Sequence, residues 1–180
     1  YPGVNVDRRS GTWHLGGVDV ELIDLPGTYS LTARSAEEAV AIDAVFAKGD
    51  EAPRVVVVVV DSTSLRRGLY FAVQVLETGV PAVLALSLAD EAKGLGLSLD
   101  ADALARASGV PVVAVSAAKN EGLDALAKAV ARQLEKPIES PDPPLVLPVE
   151  MTDAIADLAR SLAEREGVPA RQSVALARYA

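Results

Sequence analysis

The sequence predicts an α/β fold in which helices pack on a largely parallel sheet. Apolar runs typical of strands alternate with helical patterns along most of the 180 residues, and this alternation favours right-handed βαβ crossovers. Six consecutive valines, residues 55–60, indicate a strand that is buried on both faces. Half of the residues are apolar and only 4% are aromatic, a balance that suits helices covering a sheet. The length allows one domain with a sizeable core and a small appendage.

Residues 1–10 are predicted to form a loop, and a β-hairpin is expected to follow it. Gly16 and Gly17 separate two strand-like runs and supply the positive φ angles of a tight turn. The second run begins at Val18, alternates apolar and polar residues, and stops at the sequence DLPG, residues 24–27.

Capping residues, breakers and periodicity place the elements after the hairpin. Ser35 and Glu38 fit a capping box that begins a helix over about residues 36–48. Further strands are expected over residues 53–61, 81–88 and 110–115, and further helices over residues 65–77, 100–108 and 123–135.

The last part of the chain is predicted to be helical and to follow a linker. Five prolines in residues 136–148 predict a linker or a semi-extended strap. Apolar residues at helical spacing predict a helix over residues 149–166, and another helix is expected over residues 172–179. Such a segment cannot bury a core alone, so it is expected to pack on the α/β domain or to continue into further sequence.

Composition excludes several classes of partner and site. A formal net charge of −8 argues against a nucleic-acid backbone as partner, because such sites need clustered Lys and Arg. The absence of cysteine excludes disulfides and thiolate metal sites. The longest apolar runs fall far short of the roughly 20 residues that span a bilayer, so the chain is expected to be soluble. Its start at Tyr1 and its end within a helical pattern suggest a piece of a longer protein.

The DLPG sequence at residues 24–27 combines two groups that suit a phosphate site. The Asp24 carboxylate can hold a hydrated Mg²⁺, because hard cations prefer oxygen ligands. Gly27 lets a backbone N–H approach a phosphate oxygen with no Cβ in the way. A turn that merely ends a strand would use the same residues, so the pattern alone leaves both interpretations open.

Two further polar motifs follow predicted strands. Ser87-Leu88-Ala89-Asp90 lies at the end of the second predicted strand of the parallel sheet, and Ser116-Ala117-Ala118-Lys119 lies at the end of the third. Because ligands bind beyond the carboxyl ends of parallel strands, these motifs and DLPG are expected to share one edge of the sheet. In order and spacing, the three motifs resemble the later motifs of a Ras-like GTPase.

The Ras-like resemblance implies a role for each motif. Asp24 would ligate Mg²⁺, and Gly27 would contact the γ-phosphate. Asp90 would accept hydrogen bonds from the ring N–H and amino group of guanine, a donor pair that adenine lacks, while the backbone N–H of Ala117 would meet the guanine oxygen. The nucleotide-site residues assigned in this way are Asp24, Gly27, Ser87, Asp90, Ser116, Ala117 and Ala118.

A narrower resemblance comes from three segments. YPGVNVD (residues 1–7), DLPGTYSL (residues 24–31) and DEA (residues 90–92) are similar to (W/Y)PGVTVE, DLPGTYSL and NxxDEA in the cytosolic G domain of FeoB-type ferrous iron transporters. The eight-residue DLPGTYSL is specific, since other small GTPases rarely carry TYSL after DxPG. The resemblance covers nearly the whole chain.

This family resemblance implies a fold, domains, ligands and a location. The fold would be a three-layer, Ras-like P-loop NTPase sheet with one antiparallel edge hairpin, truncated at its amino terminus. Residues 1–136 would be the G domain, residues 137–148 a Pro-rich linker, and residues 149–180 the beginning of a helical domain that slows nucleotide release. The cofactors would be GTP or GDP with Mg²⁺. The full-length protein would act at the cytoplasmic face of the bacterial inner membrane, with a membrane domain following this chain.

The chain departs from the family pattern at three places. No GxxxxGK(S/T) phosphate loop occurs, so that loop and the strand before it are expected upstream of Tyr1. The switch I Thr that ligates Mg²⁺ in the family is Asn5, and the Asn of the base motif is Ser87. Tight GTP binding by this chain alone is therefore not expected. The missing strand is central in a Ras-like sheet, so two apolar strand edges would stay unpaired unless the sheet closes by another pairing.

Several alternatives stay open from the residues alone. Asp61, which closes the valine run, is either a phosphoacceptor or, more commonly, a cap of the next turn. His14 is interpreted as structural rather than as a metal ligand, and Asp153 and Asp157 as a solvated face rather than an iron site. Lys119 would contact the nucleotide sugar or simply sit in a loop.

Two classes of function are compatible with these patterns. The first is a GTP-binding and GTP-hydrolysing regulatory domain of an iron transporter, for which no catalytic residue is assigned. The second is a degenerate, nucleotide-free α/β interaction module. Another Ras-like GTPase is a third possibility, and a homo-oligomer stays open.

Overall fold

The computed structural model describes residues 9–31, 35–138 and 149–166. Asn5, most of the predicted linker and the expected helix over residues 172–179 lie outside the described residues. The strands are β1 (Arg9–Leu15), β2 (Val18–Asp24), β3 (Val56–Asp61), β4 (Ala82–Ser87) and β5 (Val112–Ala114). The helices are α1 (Ala36–Val45), α2 (Leu65–Glu77), α3 (Ala89–Gly94), α4 (Ala101–Ser108), α5 (Leu123–Glu135) and α6 (Val149–Glu166). Short 3₁₀ turns cover Gly49–Glu51 and Ser62–Ser64.

Three parallel strands form the centre of the fold, in the order β3-β4-β5. Each strand directs alternate side chains to opposite faces of this sheet. Helices cover both faces, and an apolar cluster lies on each. On one face, buried residues such as Val60 and Leu84 pack with α1, α2 and α4. On the other face, Val83 packs with Ala129 and Val130 of α5. The predicted three-layer α/β fold with a mostly parallel sheet is thereby confirmed.

The antiparallel hairpin of β1 and β2 is also confirmed, and it forms a sheet of its own. Gly16 and Gly17 occupy its turn with φ of +55° and +94°, values that favour glycine. Leu15 is buried, and with Trp13 it packs in the cluster that contains α5. The hairpin is therefore attached to the parallel sheet through side chains of the α5 layer.

The described residues contain no backbone pairing between β2 and β3. β3 pairs only with β4, and β2 pairs only with β1. Val59, in the middle of β3, is 66% exposed although its neighbours Val58 and Val60 are buried. Leu22 and Ile23 of β2 are about half exposed. Two strands thus keep an unpaired edge together with exposed apolar side chains, as expected if a strand is missing between them.

Most predicted elements are present, with shifts at their ends. The bounds of α2, α5 and α6 agree with the prediction. The capping box of Ser35 and Glu38 is present at α1, but this helix ends at Val45, before the 3₁₀ turn at Gly49. β1 begins at Arg9, within the segment that was predicted to be a loop. The parallel strands are shorter than predicted: each begins after a proline, which cannot donate a ladder hydrogen bond, and β4 and β5 also end one residue early.

A buried glutamine fixes α5 to the sheet and to the segment that follows it. Gln133 Nε2 donates to the carbonyl of Ala82 at 2.8 Å, and Gln133 Oε1 accepts from the N–H of Ile138 at 2.7 Å. Arg54 also donates to the carbonyl of Leu134 at 3.1 Å. In the part of the chain that the structure describes, no helix is long and apolar enough to cross a membrane.

Candidate functional site

The carboxyl ends of β4 and β5 are joined by backbone hydrogen bonds. The N–H of Ala89 donates to the carbonyl of Val115 at 3.2 Å, which ties the start of α3 to the end of β5. Leu88, between β4 and α3, takes the left-handed conformation with φ of +54°. Beyond β5, Ser116 and Glu121 exchange two backbone hydrogen bonds of 3.0 Å. These bonds close a compact loop over residues 116–121 next to the start of α3.

Asp90 and Ser116 meet where these two loops adjoin. The Ser116 side chain donates a hydrogen bond to the Asp90 carboxylate, and Ser116 Oγ accepts from the N–H of Lys119 at 3.3 Å. Lys119 Nζ lies 3.6 Å from Asp90 Oδ2. The Asp90 side chain is 16% exposed, whereas the Lys119 side chain is 56% exposed. The structure therefore brings together the two base motifs that the sequence predicts.

The environment of Asp90 favours its ionised form. The hydrogen bond from Ser116 lowers the pKa of Asp90 below its ordinary value, and the Lys119 ammonium lowers it further. At neutral pH the carboxylate is thus an acceptor with two oxygens and no proton. Such a group can receive two parallel N–H donors from one edge of a planar ring, as guanine offers and adenine does not.

Ser87, which stands where the family's base motif has Asn, forms a hydrogen bond with the neighbouring strand β3. Its hydroxyl donates to the carbonyl of Val60 at 3.3 Å, and Ser87 lies opposite Asp61 in the β3-β4 ladder. The side chain therefore contacts the backbone of β3, the strand with the unpaired edge. Ala117 and Ala118, the other predicted loop residues, are exposed at the mouth of the loop over residues 116–121.

Asp61 caps the turn that follows β3, which is one of the two roles that the sequence left open. Its Oδ1 accepts from both the N–H and the hydroxyl of Thr63, each at 2.7 Å. These hydrogen bonds, the hydroxyl first, lower the pKa of Asp61 below its ordinary value. The carboxylate is thus engaged in ending β3 and starting the 3₁₀ turn before α2.

Asp24 and Gly27 lie in the other sheet and in the loop that follows it. Asp24 ends β2 opposite Arg9, is exposed, and its carboxylate has no hydrogen bond or ion pair among the described residues. Gly27 is exposed, and nothing lies within 4 Å of the position that a Cβ would occupy. The backbone at Gly27 is thus open to a ligand, but no described contact joins Asp24 or Gly27 to Asp90.

The loop over residues 25–31 is held by α2, which sequence reasoning missed. The Arg67 guanidinium lies 3.5 Å from the centroid of the Tyr29 ring. Gln74 Oε1 accepts from the N–H of Leu31 at 2.8 Å, and Gln74 is fully buried. A single Gln within the apolar run FAVQVL of α2 was the available signal, since buried polar side chains are usually hydrogen-bonded.

The other candidate ligand residues form no metal centre in the described part of the chain. No group of three or more His, Asp or Glu side chains there is placed to hold a metal ion. His14 Nδ1 contacts Asp19 Oδ1 across the hairpin. Asp157 pairs with Arg160 at 3.1 Å on the exposed side of α6. The side chain of Asp153 is not among those that the structure describes.

The fold and the paired base motifs define a G domain, and comparisons with known proteins agree. The family described as ferrous iron transport protein B matches residues 1–130, and the chain belongs to this family. The Fe(2+) transporter FeoB of Salmonella typhimurium is 37% identical over 136 residues, which are 73% of this chain and 17% of that protein. The chain therefore spans about a sixth of the length of the curated relatives that it matches.

Solved structures show the same likeness. The cytosolic domain of L. pneumophila FeoB has a TM-score of 0.87 at 31% identity, covering 99% of this chain and 68% of that one. The cytosolic domain of T. maritima FeoB in a GDP form has a TM-score of 0.83 at 29% identity, covering 96% and 67%. The T. maritima domain is also known in a GMPPNP form, with a TM-score of 0.81, 29% identity, and coverage of 96% and 67%.

Gly122 should be essential to the loop over residues 116–121. It has φ of +78°, and a Cβ there would lie 2.1 Å from the carbonyl oxygen of Ala114, so Gly122→Ala should lower the free energy of unfolding by about 3 kcal/mol or more. Gly96→Ala is the matched control, because Gly96 has φ of +76° with open space around it, and should cost only about 1 kcal/mol. Urea unfolding measures both, and equal losses would contradict this account.

Proposed function

We propose that this chain supplies the base-recognition part of a guanine-nucleotide site in the cytosolic regulatory domain of a ferrous iron transporter. The observation that carries the proposal is the Asp90 carboxylate, which lies mostly buried beside Ser116 and Lys119 at the carboxyl edge of the parallel sheet. This is the edge where open α/β sheets bind ligands.

The geometry of the two loops suits guanine in particular. Asp90 offers two carboxylate oxygens for the ring N–H and the amino group, and the exposed loop backbone at Ala117 and Ala118 follows directly after Ser116. Lys119, whose side chain is 56% exposed, would swing from its ion pair to cover the base or the sugar. The GDP and GMPPNP forms of the T. maritima domain support a guanine nucleotide as the ligand.

The phosphate part of the site is proposed to need a further segment. Asp24 would hold Mg²⁺ through its exposed carboxylate, Gly27 would donate its N–H to the γ-phosphate, and Asn5 would provide a second oxygen ligand for the ion. The phosphate loop itself would come from a strand upstream of Tyr1 that pairs between β2 and β3. The unpaired edges of those strands and the exposed side chain of Val59 support that placement.

The larger biological role is part of the same proposal. Residues 1–136 would form the G domain, residues 137–148 a linker, and residues 149–180 the start of a helical domain that slows nucleotide release. Nucleotide binding and hydrolysis would regulate Fe²⁺ uptake by a membrane domain at the bacterial inner membrane. The family membership supports this role.

Base recognition by Asp90 is tested with GDP and IDP, because inosine lacks the 2-amino donor. The natural full-length protein should bind GDP at least about tenfold more tightly than IDP, since a hydrogen bond to a charged group is worth about 1.5–3 kcal/mol. Asp90→Ala should weaken GDP binding and abolish the preference. Asp102→Ala, a change at an exposed position in the first turn of α4, is the control.

Isothermal titration calorimetry gives both affinities. Equal affinity of the unaltered protein for GDP and IDP would contradict the role of Asp90. Failure to bind any guanine nucleotide would favour the nucleotide-free interaction module instead.

The unpaired strand edges predict self-association of residues 1–180 expressed alone. Exposed apolar edges pair with other chains, and a lysine on an edge strand opposes this pairing. The chain should therefore form concentration-dependent oligomers in analytical ultracentrifugation, and Val59→Lys should reduce them severalfold. Val73→Lys, at a half-exposed position of α2, should not. A sharp monomer with cooperative melting at all concentrations would contradict the missing-strand interpretation.

A further inference from the structure

Two contacts attach the loop over residues 25–31 to one stripe of helix α2. Arg67 lies over the ring of Tyr29, and Gln74 accepts from the N–H of Leu31. Residues 67 and 74 are two helical turns apart, so they share one side of α2 and are separated by about 10 Å along its axis. The end of the loop therefore has two anchor points on the same helix.

Gln74, the buried one of these two anchors, is not explained by packing alone. Gln74 is fully buried, Leu31 is 5% exposed, and the surrounding cluster of buried residues is apolar. Gln74 Nε2 has no hydrogen-bond partner among the described residues. A buried amide costs free energy unless it is hydrogen-bonded, and an apolar side chain of the same size would avoid that cost. The position of this amide is therefore better accounted for by what its oxygen holds.

The helix that carries the anchors is itself seated closely on the parallel sheet. A Cβ at Gly68 would lie 2.7 Å from Cγ1 of Val60, so α2 approaches β3 more closely than a larger residue would allow. Val75 is fully buried. The anchors on α2 are thus fixed relative to β3, which pairs with β4, the strand that leads to Asp90.

Gly27 lies between two fixed ends of its loop. The loop starts at Asp24, where the β1-β2 ladder ends, and it is held again at Tyr29 and Leu31. A loop that is fixed at both ends loses less conformational entropy when its backbone closes on a ligand. The anchors therefore lower the cost of a contact made by the backbone N–H of Gly27.

We propose that Arg67 and Gln74 are positioning residues that set the preference of the site for a nucleoside triphosphate over a diphosphate. This inference rests on the proposed function, in which Gly27 contacts the γ-phosphate. A diphosphate lacks that phosphate, so the anchors favour the triphosphate selectively. The base-recognition residues contribute equally to both nucleotides and do not create the preference.

The test compares the affinities of GMPPNP and GDP for the natural full-length protein and its variants. Tyr29→Leu removes the aromatic face that Arg67 covers, and Gln74→Met removes the acceptor of the Leu31 N–H at similar volume. Each variant should bind GMPPNP about three- to tenfold more weakly, while its affinity for GDP stays within about twofold of the unaltered protein. Tyr70→Leu is the matched control, because Tyr70 is 58% exposed on α2 and should leave both affinities unchanged.

Hydrogen–deuterium exchange of the nucleotide-free protein checks the anchor without any ligand. The peptide covering residues 25–31 should exchange about tenfold faster in Gln74→Met, while peptides from β3 and β4 stay protected. Equal weakening of both nucleotides, unchanged affinities, or unchanged exchange would overturn the inference while the proposed function stands. An unaltered protein that binds neither nucleotide would overturn the proposed function and, with it, this inference.

Discussion

The parallel pairing of β4 with β5, in which Leu86 lies opposite Ala114, determines where Asp90 and Ser116 of the proposed base site meet. This register brings the end of β4 beside the end of β5, so that the N–H of Ala89 reaches the carbonyl of Val115. Asp90 then lies within reach of the Ser116 hydroxyl. The lowered pKa of Asp90 and its place at the sheet edge both follow from this backbone pairing. A carboxylate held in this way is ready to accept donors before any ligand arrives.

Because β2 and β3 are not paired with each other, the hairpin is not part of the parallel sheet. The loops that carry Asp90 and Ser116 extend from the parallel sheet, whereas Asp24 ends a hairpin that forms a separate sheet and Gly27 lies in the loop after it. Side-chain packing of Leu15 and Trp13 with the α5 layer, together with the anchors of Arg67 and Gln74, holds the two parts together. In the proposed site, the base half would lie within the parallel sheet, and the phosphate half would depend on an additional strand.

The sequence predicts the elements that depend on local signals. Gly16-Gly17 predicts the hairpin turn, the Ser35–Glu38 pair predicts the start of α1, and the valine run predicts a buried strand. Helix α3 is not predicted, because it has only six residues and its preceding residue, Leu88, adopts a left-handed conformation with no capping side chain. Local patterns do not encode such a short helix strongly.

The parts of the site that sequence reasoning misses depend on contacts between distant residues. Gln74 meets Leu31 across 43 positions of the chain, and the ring contact of Tyr29 with Arg67 is comparably distant. The motif order predicts that Asp90 and Ser116 share an edge, but it does not predict the hydrogen bond between them. The separate hairpin, by contrast, agrees with the expectation that the edges of β2 and β3 stay unpaired without a strand between them.

The central claim is that the guanine site is divided between this chain and a strand that pairs with β2 and β3. The most direct measurement is the binding of a fluorescent GDP analogue, with Mg²⁺, to residues 1–180 and to the same chain extended by its natural upstream segment. This account predicts that the extended protein binds at least about a hundredfold more tightly, since the phosphate contacts supply several charge-assisted hydrogen bonds. Equal affinity of the two proteins would contradict it.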